Sequence, residues 1–277
     1  MKLKRKERIG GIIKVLTDNP NKIFNLKYFT KLFSAAKSSV SEDITFIKDI
    51  IEKLNMGKVV TLVGASGGVK YIPSIQKDKI LEILEKIIDK INEKDRIIPG
   101  GLVYTLDVLY DPKYLKSIAK VFSYLYKDKK IDYVLTIETK GIPLATITAE
   151  LLNVPLVIVR DENKLTEGST LGINYVSGST GKVKTMFVSK RSIKKGSNIL
   201  IVDDFIRGGG TAKGLKNLVK ELESFVVGIC FLIDIQSSDN KMIKEYNSLI
   251  KLTEIDKSRV NAELDKNFFK KIKDFYN

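Results

Sequence analysis

Two adjacent carboxylates, Asp203 and Asp204, follow the apolar run Ile199-Leu-Ile-Val and precede Phe205-Ile-Arg207-Gly208-Gly209-Gly210-Thr211. Carboxylates in that place can accept hydrogen bonds from vicinal hydroxyls such as those of a ribose. The glycines that follow leave backbone amides uncovered at what reads as a helix start, where unpaired N–H groups and the helix dipole favour a phosphate. Arg207 adds positive charge and Thr211 a hydroxyl donor. The stretch lacks the GK[ST] of a Walker A loop and the spacing of a Rossmann fingerprint. Some 60 residues earlier, Thr139-Lys140-Gly141 also joins an apolar run to a helical one, and Arg160 opens a further polar stretch, Arg160-Asp-Glu-Asn-Lys164. The chemistry these residues suit is the binding of a sugar phosphate.

Other chemistries are closed off. The 277 residues include no histidine and one cysteine, Cys230, inside an apolar run. An intrachain disulfide, a Cys/His zinc site and a Ser-His-Asp triad are therefore excluded, and no residue cluster is assigned as a metal site. The longest strongly apolar stretch, Phe225–Ile235, is far shorter than the roughly 20 residues a membrane helix needs. The basic start, MKLKRKERIGG, is followed by neither an apolar core nor a cleavage site, so no membrane or secretory role is expected and the cytoplasm is the default.

The elements that must position these residues follow from periodicity. A long helix is expected within Ile75–Asp95, with Ile80, Ile83, Leu84, Ile87, Ile88 and Ile91 on its apolar side, as a connector or a dimer face. A helix at Pro112–Tyr126, a strand at Tyr133–Ile137, a helix at Ile142–Leu152 and a strand at Pro155–Val159 come next. A polar excursion through Thr166–Thr170 leads to a strand and hairpin in Asn174–Lys190. A strand at Ser197–Asp203, a helix after Thr211 and a strand at Phe225–Ile235 complete the core. Alternation of this kind predicts a parallel α/β sheet with ligands at the strand C-termini.

The first quarter reads differently. Residues 1–74 carry 14 Lys/Arg against 6 Asp/Glu, a net +8 out of +15 for the chain. Ile9, Ile12, Ile13 and Leu16 mark one amphipathic helix, and Leu26, Phe29, Leu32 and Phe33 a second. A third is expected to start at Ser38 or Ser39, because Ser39-Val-Ser-Glu42 has the form of a capping box. It would bury Ile44, Ile47, Ile51 and Leu54. Lys58–Val63 and Val69–Ile72, joined by Gly64-Ala-Ser-Gly-Gly68, read as a hairpin. Three helices and a hairpin make the order of a winged helix, whose third helix can enter a major groove. A small helical protein-interaction domain would show the same pattern. If DNA is the partner, Arg5, Lys37, Ser38, Ser39, Ser41, Thr45, Lys48 and Lys70 are the candidate contacts.

The thirteen residues Ile199–Thr211 resemble the phosphoribosyl pyrophosphate signature of type I phosphoribosyltransferases. A wider set resembles the Gram-positive purine operon repressors: SAAKSSVSEDITFIK (34–48), GASGGVKYIP (64–73), TKGIPLA (139–145), TEGST (166–170), INYVSG (173–178), KRS (190–192), KKGSNILIVDDF (194–205) and GGT (209–211). That resemblance implies an N-terminal winged helix over 1–74 and a type I phosphoribosyltransferase fold over 75–277, a parallel sheet flanked by helices, with a hood. It implies a cytoplasmic homodimer that represses purine genes on double-stranded DNA. Its DNA affinity would fall when phosphoribosyl pyrophosphate, with Mg²⁺, or a related anionic nucleotide binds. The effector contacts would be Thr139, Lys140, Gly141, Arg160, Asp203, Asp204, Phe205, Arg207, Gly208, Gly209, Gly210 and Thr211. Glu138 stands where some xanthine phosphoribosyltransferases also carry Glu, and Arg207 where the repressors more often carry lysine. The alternative is a purine phosphoribosyltransferase, of adenine or xanthine type, with an appended helical domain. It would need a base pocket, for which Phe205 and Tyr104 are the stacking candidates.

Overall fold

The computed structural model describes residues 3–64, 67–98, 102–164, 166, 168–177, 181–236, 241–255 and 260–275. The expected hairpin tip at Ala65 and Ser66, the Pro99-Gly-Gly101 turn, Leu165 and Glu167 of the polar excursion, and Gly178-Ser179 lie outside the described residues. The chain divides into two compact units, Met1–Gln76 with Glu150–Asn153, and Lys77–Ala149 with Val154–Asn277.

In the first unit the order is α1 (Arg5–Asp18), α2 (Leu26–Phe33), α3 (Lys37–Lys53) and the antiparallel hairpin of β1 (Gly57–Leu62) with β2 (Gly68–Pro73). This is the winged-helix order. One apolar core joins Ile12 and Leu16 of α1, Phe29 and Phe33 of α2, Val40, Ile44, Ile47 and Ile51 of α3, and Val59 and Val69 of the hairpin. Each such side chain contributes about 1.5–3 kcal/mol on burial. Phe24 adds a bridge that the pattern did not reveal, exchanging backbone hydrogen bonds with Val69 at 2.9 and 2.8 Å. Asn25 caps α2 by accepting from the Tyr28 amide at 2.9 Å.

Several expectations need correction. Helix α3 starts at Lys37, and its N-cap is Ala36, which has no side chain to cap with. Ser39 therefore lies inside the first turn, and the Ser39–Glu42 capping box does not open the helix. Leu54 is 62% exposed, because the helix has ended and the chain turns away there. Leu32 is also exposed, since the eight residues of α2 present only one narrow face to the core.

The second unit opens with α4 (Lys77–Ile91), a short hairpin of β3 (Ile97–Ile98) and β4 (Leu102–Val103), α5 (Leu106–Leu109) and α6 (Pro112–Leu125). Then follow β5 (Tyr133–Ile137), α7 (Ile142–Leu152), β6 (Leu156–Val159), β7 (Thr170–Val176), β8 (Val183–Ser189), β9 (Asn198–Ile206), α8 (Gly210–Glu221), β10 (Phe225–Ile235), β11 (Asn247–Ile255), β12 (Val260–Leu264) and α9 (Lys266–Phe275). The main sheet has the order β12-β11-β10-β9-β5-β6. Its pairs are parallel except β11–β12, so the expected parallel sheet is mixed at one edge. β11, β12 and α9 were not anticipated, because short amphipathic runs with interspersed lysines carry a weak period. The apolar face of α4 is used within this unit, packing on α6, β11 and β12. Asn92, just past α4, pairs with the Ala262 backbone through bonds of 3.1 and 2.7 Å.

Two boundaries near the motif also shift. β9 does not stop at Asp203 but runs on through Ile206, held by β10 up to the Ile206–Asp234 pair. α8 begins at Gly210 rather than after Thr211. No helix among the described residues is long and apolar enough to cross a membrane.

A buried ionic contact sets the angle of α3. Asp43 is 1% exposed, and its two oxygens accept from Arg8 Nε at 2.8 Å and Arg5 Nε at 3.3 Å. Asp43→Ala would strand the Arg8 guanidinium, which is only 13% exposed. The variant should destabilise the first unit by about 2–4 kcal/mol. Hydrogen exchange should show lost protection in α1 and α3 while β9 amides of the same chain stay protected.

Candidate functional site

The middle strands of the main sheet lead into the residues singled out by type and spacing. β9 delivers Asp203 and Asp204, both buried, and then Phe205, which is 39% exposed. The next strand, β5, ends in Glu138, and the turn to α7 is made by Thr139, Lys140 and Gly141. The Glu138–Thr139 peptide bond is cis. The two loops meet at Gly141: a Cβ there would lie 2.1 Å from Asp203 Oδ1 and 2.8 Å from Thr136 Oγ1. Only glycine lets the turn approach the carboxylate this closely.

Two clefts flank this meeting point. One is lined by Asp203, Phe205, Arg207, Gly208, Gly209, Gly210 and Thr211, with Phe231 behind. The other is lined by Lys140, Asp204, Phe205 and Arg207 on its polar side and by Leu102, Val103, Leu109, Ile233, Ile235 and Leu252 on its apolar side. Gly209, at φ +77°, is the N-cap of α8 and offers no side-chain cap. The amides of that first turn have no partner within the helix, which is the geometry that favours an anionic oxygen.

The electrostatics of the pair are unusual. Burial raises Asp203 well above the ordinary aspartate value, and the neighbouring Asp204 charge adds to it. Burial raises Asp204 as well, opposed by a hydrogen bond from Asp203 and by the Lys140 charge. Of the two carboxyls, Asp203 is therefore the one that holds a proton more tightly. Asp203 Oδ1 accepts from the Asp204 amide at 2.9 Å, whereas Asp204 Oδ2 is buried and accepts nothing among the described residues. A buried acceptor left in that state has room for a donor that the described residues do not supply.

Arg160 lies apart from both clefts. Its guanidinium donates to Glu138 Oε2 at 2.8 Å, and the Asp161 amide donates to Glu138 Oε1 at 2.9 Å. Burial pushes the Glu138 carboxyl up, but the hydrogen bonds of Asp161 and Arg160 outweigh it and hold it at about 2. Tyr104 is exposed but does not line the apolar cleft, whereas Phe205 lines both. Residues the sequence reading missed include the apolar wall and Tyr175. The Thr211 hydroxyl hydrogen-bonds the Tyr175 phenol oxygen, and the Tyr175 Cβ would lie 2.9 Å from a Cβ on Gly214. Strand alternation in β7 was the only available signal, and it does not say which neighbour a strand packs on.

In the first unit, Lys37, Ser38, Ser41, Thr45 and Lys48 are all exposed on α3, while Ser39 is half-buried. Thr45 Oγ1 donates to the Ser41 carbonyl at 3.1 Å, a bond it can exchange for another acceptor. Lys70 is half-buried on β2, and Arg5 is exposed on α1 but engaged with Asp43. The exposed α3 face thus carries short hydroxyls between lysines, the residue set that reads base edges and phosphates.

Residues 4–73 match the family profile described as "Bacterial purine repressor, N-terminal", and residues 105–267 the profile "Phosphoribosyl transferase domain". The purine biosynthesis transcriptional repressor of Bacillus subtilis is 42% identical over 275 residues, 99% of this chain and 96% of that protein. The chain belongs to the bacterial purine repressor family. The family also holds a purine biosynthesis transcriptional activator from Lactococcus lactis, 41% identical over 92% of this chain and 94% of its own. Among solved structures, adenine phosphoribosyltransferase of Thermoanaerobacter pseudethanolicus aligns with a TM-score of 0.54 and 26% identity, over 61% of this chain and 99% of that one. The second unit thus has the type I phosphoribosyltransferase fold. Among the described residues no group of three or more His, Cys, Asp or Glu side chains is placed to hold a metal by itself.

The raised Asp203 value has a definite sign. The folded chain holds that proton more tightly than the unfolded one, so stability falls as pH rises from about 4 through the folded pKa. Asp203→Asn keeps the acceptor for the Asp204 amide and removes the second charge. The ligand-free variant should be more stable than the parent by about 1–2 kcal/mol at pH 7.5, with the gain vanishing near pH 4. Thermal melts across that range check it; a variant less stable at pH 7.5 would show that the pair is already relieved.

Proposed function

We propose that the chain is a transcription repressor of purine biosynthesis genes, acting in the cytoplasm as a homodimer, whose affinity for double-stranded DNA falls when phosphoribosyl pyrophosphate occupies the second unit. The observation that carries the ligand class is the buried Asp203–Asp204 pair with an unsatisfied Asp204 Oδ2, set between Lys140 and an uncapped α8 N-terminus. Ribose hydroxyls would donate to the carboxylates. The monophosphate would take the Gly208–Thr211 amides, and the pyrophosphate the Thr139–Gly141 turn with Lys140. Two carboxylates alone make a poor Mg²⁺ cage, but Mg²⁺ brought on pyrophosphate oxygens needs only one or two of them. Asp203 and Asp204 are the residues that would meet it, and the ion would supply charge neutralisation.

The regulatory reading is supported by the name of the Bacillus relative and by the exposed α3 face. A sensor needs the ligand to prefer one conformation of the chain, or to cancel charge that DNA also uses. Typical coupling of this kind is about 1–3 kcal/mol, or 5–150-fold in affinity. The phosphoribosyltransferase fold is then used for recognition, with no turnover required of it.

Anisotropy of a labelled duplex from the protein's own upstream region, at fixed salt, tests this directly. Saturating phosphoribosyl pyrophosphate with Mg²⁺ should weaken binding at least fivefold; no change would sink the sensor reading. The log–log salt slope for a dimer that neutralises about 6–10 phosphates should be roughly −5 to −9. Lys37→Ala and Lys48→Ala should each flatten it by about 2 on all sequences, since a dimer loses two contacts, whereas Ser41→Ala or Thr45→Ala should change sequence preference. Nucleotide formation from phosphoribosyl pyrophosphate and adenine, guanine, hypoxanthine or xanthine at ordinary enzymatic rates would favour the transferase instead.

A further inference from the structure

Behind the glycine loop lies a buried ionic cluster that the ligand reading does not use. Asp234, next to last in β10, is 1% exposed. It is ion-paired with Lys241, whose side chain is only 11% exposed. Asp234 Oδ2 also accepts from the Tyr246 hydroxyl at 2.8 Å and from the Gln236 amide at 3.2 Å. Lys241 Nζ donates to the same Tyr246 hydroxyl at 3.2 Å. Burying two charges costs desolvation that apolar residues of similar size would avoid, so stability alone is a weak account of this cluster.

What the cluster anchors is the segment Lys241–Tyr246, on the way from β10 to β11, and that segment braces the glycine loop. The Met242 amide donates to the Gly208 carbonyl at 3.0 Å. A Cβ on Gly209 would lie 3.3 Å from the Met242 and Ile243 nitrogens. Ile243 is buried in the core that contains Ile206 and Ala212, the residues on either side of the loop. The Tyr246 ring stands edge-on to Phe231 at 5.7 Å, and Phe231 lines the loop cleft. Asp234 itself pairs in register with Ile206, the last strand residue before the loop.

The consequence follows from peptide geometry. In a planar trans peptide the carbonyl and the following N–H point in opposite directions. Holding the Gly208 carbonyl on Met242 therefore aims the Gly209 N–H away from that segment, and Met242 does not line the cleft. Three glycines in a row would otherwise let this peptide rotate freely.

We propose that Asp234, Lys241 and Tyr246 are positioning residues that fix the Gly208–Gly210 loop and so set affinity for the monophosphate end of a phosphoribosyl ligand, and not for its pyrophosphate end. This rests on the phosphoribosyl reading of the clefts. Calorimetric titration of the full chain with ribose 5-phosphate and, separately, with magnesium pyrophosphate tests it. The double variant Asp234→Asn with Lys241→Met removes both charges together, so neither is left buried without its counter-ion. It should lose about tenfold or more in ribose 5-phosphate affinity, with pyrophosphate affinity held within about twofold. Tyr246→Phe removes a single hydroxyl and serves where the double variant does not fold; it should show the same selective loss, about threefold. Equal loss of both probes, or loss of neither, would overturn the proposal. A parent chain that binds neither probe would overturn the reading of the clefts, and the proposal with it.

Discussion

Two carboxyl groups side by side near the end of a buried strand resist joint ionisation, and much of the second unit is arranged around that constraint. β9 sits inside the six-stranded sheet with β5 and β10 on either side, so Asp203 and Asp204, near its end, are buried and meet solvent through the two clefts. Gly141 is required because the adjoining turn crosses directly over Asp203. At Asp204 burial is opposed by the hydrogen bond from Asp203, by the Lys140 charge and by backbone amides, which leaves it less perturbed than Asp203. A ligand that brings hydroxyl donors or a cation relieves what the protein leaves unsatisfied.

The same principle, a buried charge used to orient an element, recurs in the first unit with a different outcome. Asp43 faces inward from α3 and is met by Arg8 and Arg5 of α1. Its burial fixes the rotation of α3, and the opposite face is left with lysines and short hydroxyls. Here both carboxylate oxygens are paired, and the exposed side chains lie on the far side of the helix. At the Asp203–Asp204 pair the charge is only partly compensated, and Asp204 Oδ2 is left without a partner among the described residues.

A loop that binds phosphate through backbone amides must be open on one side and held on the other. Glycine provides the openness, and it provides no rigidity of its own. In this chain the rigidity comes from elements remote in sequence: the Tyr175 phenol at Thr211 from β7, and the Met242 amide at Gly208 from the chain between β10 and β11.

Local chemistry made much of this legible in one dimension. The strand-loop-helix run Ile199–Thr211, the Thr139–Gly141 turn, the bounds of α2, β5, α7 and β10, and the polar face of α3 all follow from periodicity and residue type, since they depend on near neighbours. Where the sequence misled, the deciding contact was distant. Ala36 rather than Ser39 caps α3 because packing set the helix start. β9 runs past its carboxylates because β10 pairs with it that far. Arg160 turns from the clefts to Glu138, 22 positions away. The residue types determined which ligand chemistry the chain can offer, because charge and hydrogen-bonding capacity belong to single side chains. Which of those groups are left unsatisfied was decided only by the tertiary structure, because burial and pairing are properties of neighbours that the chain brings together in space.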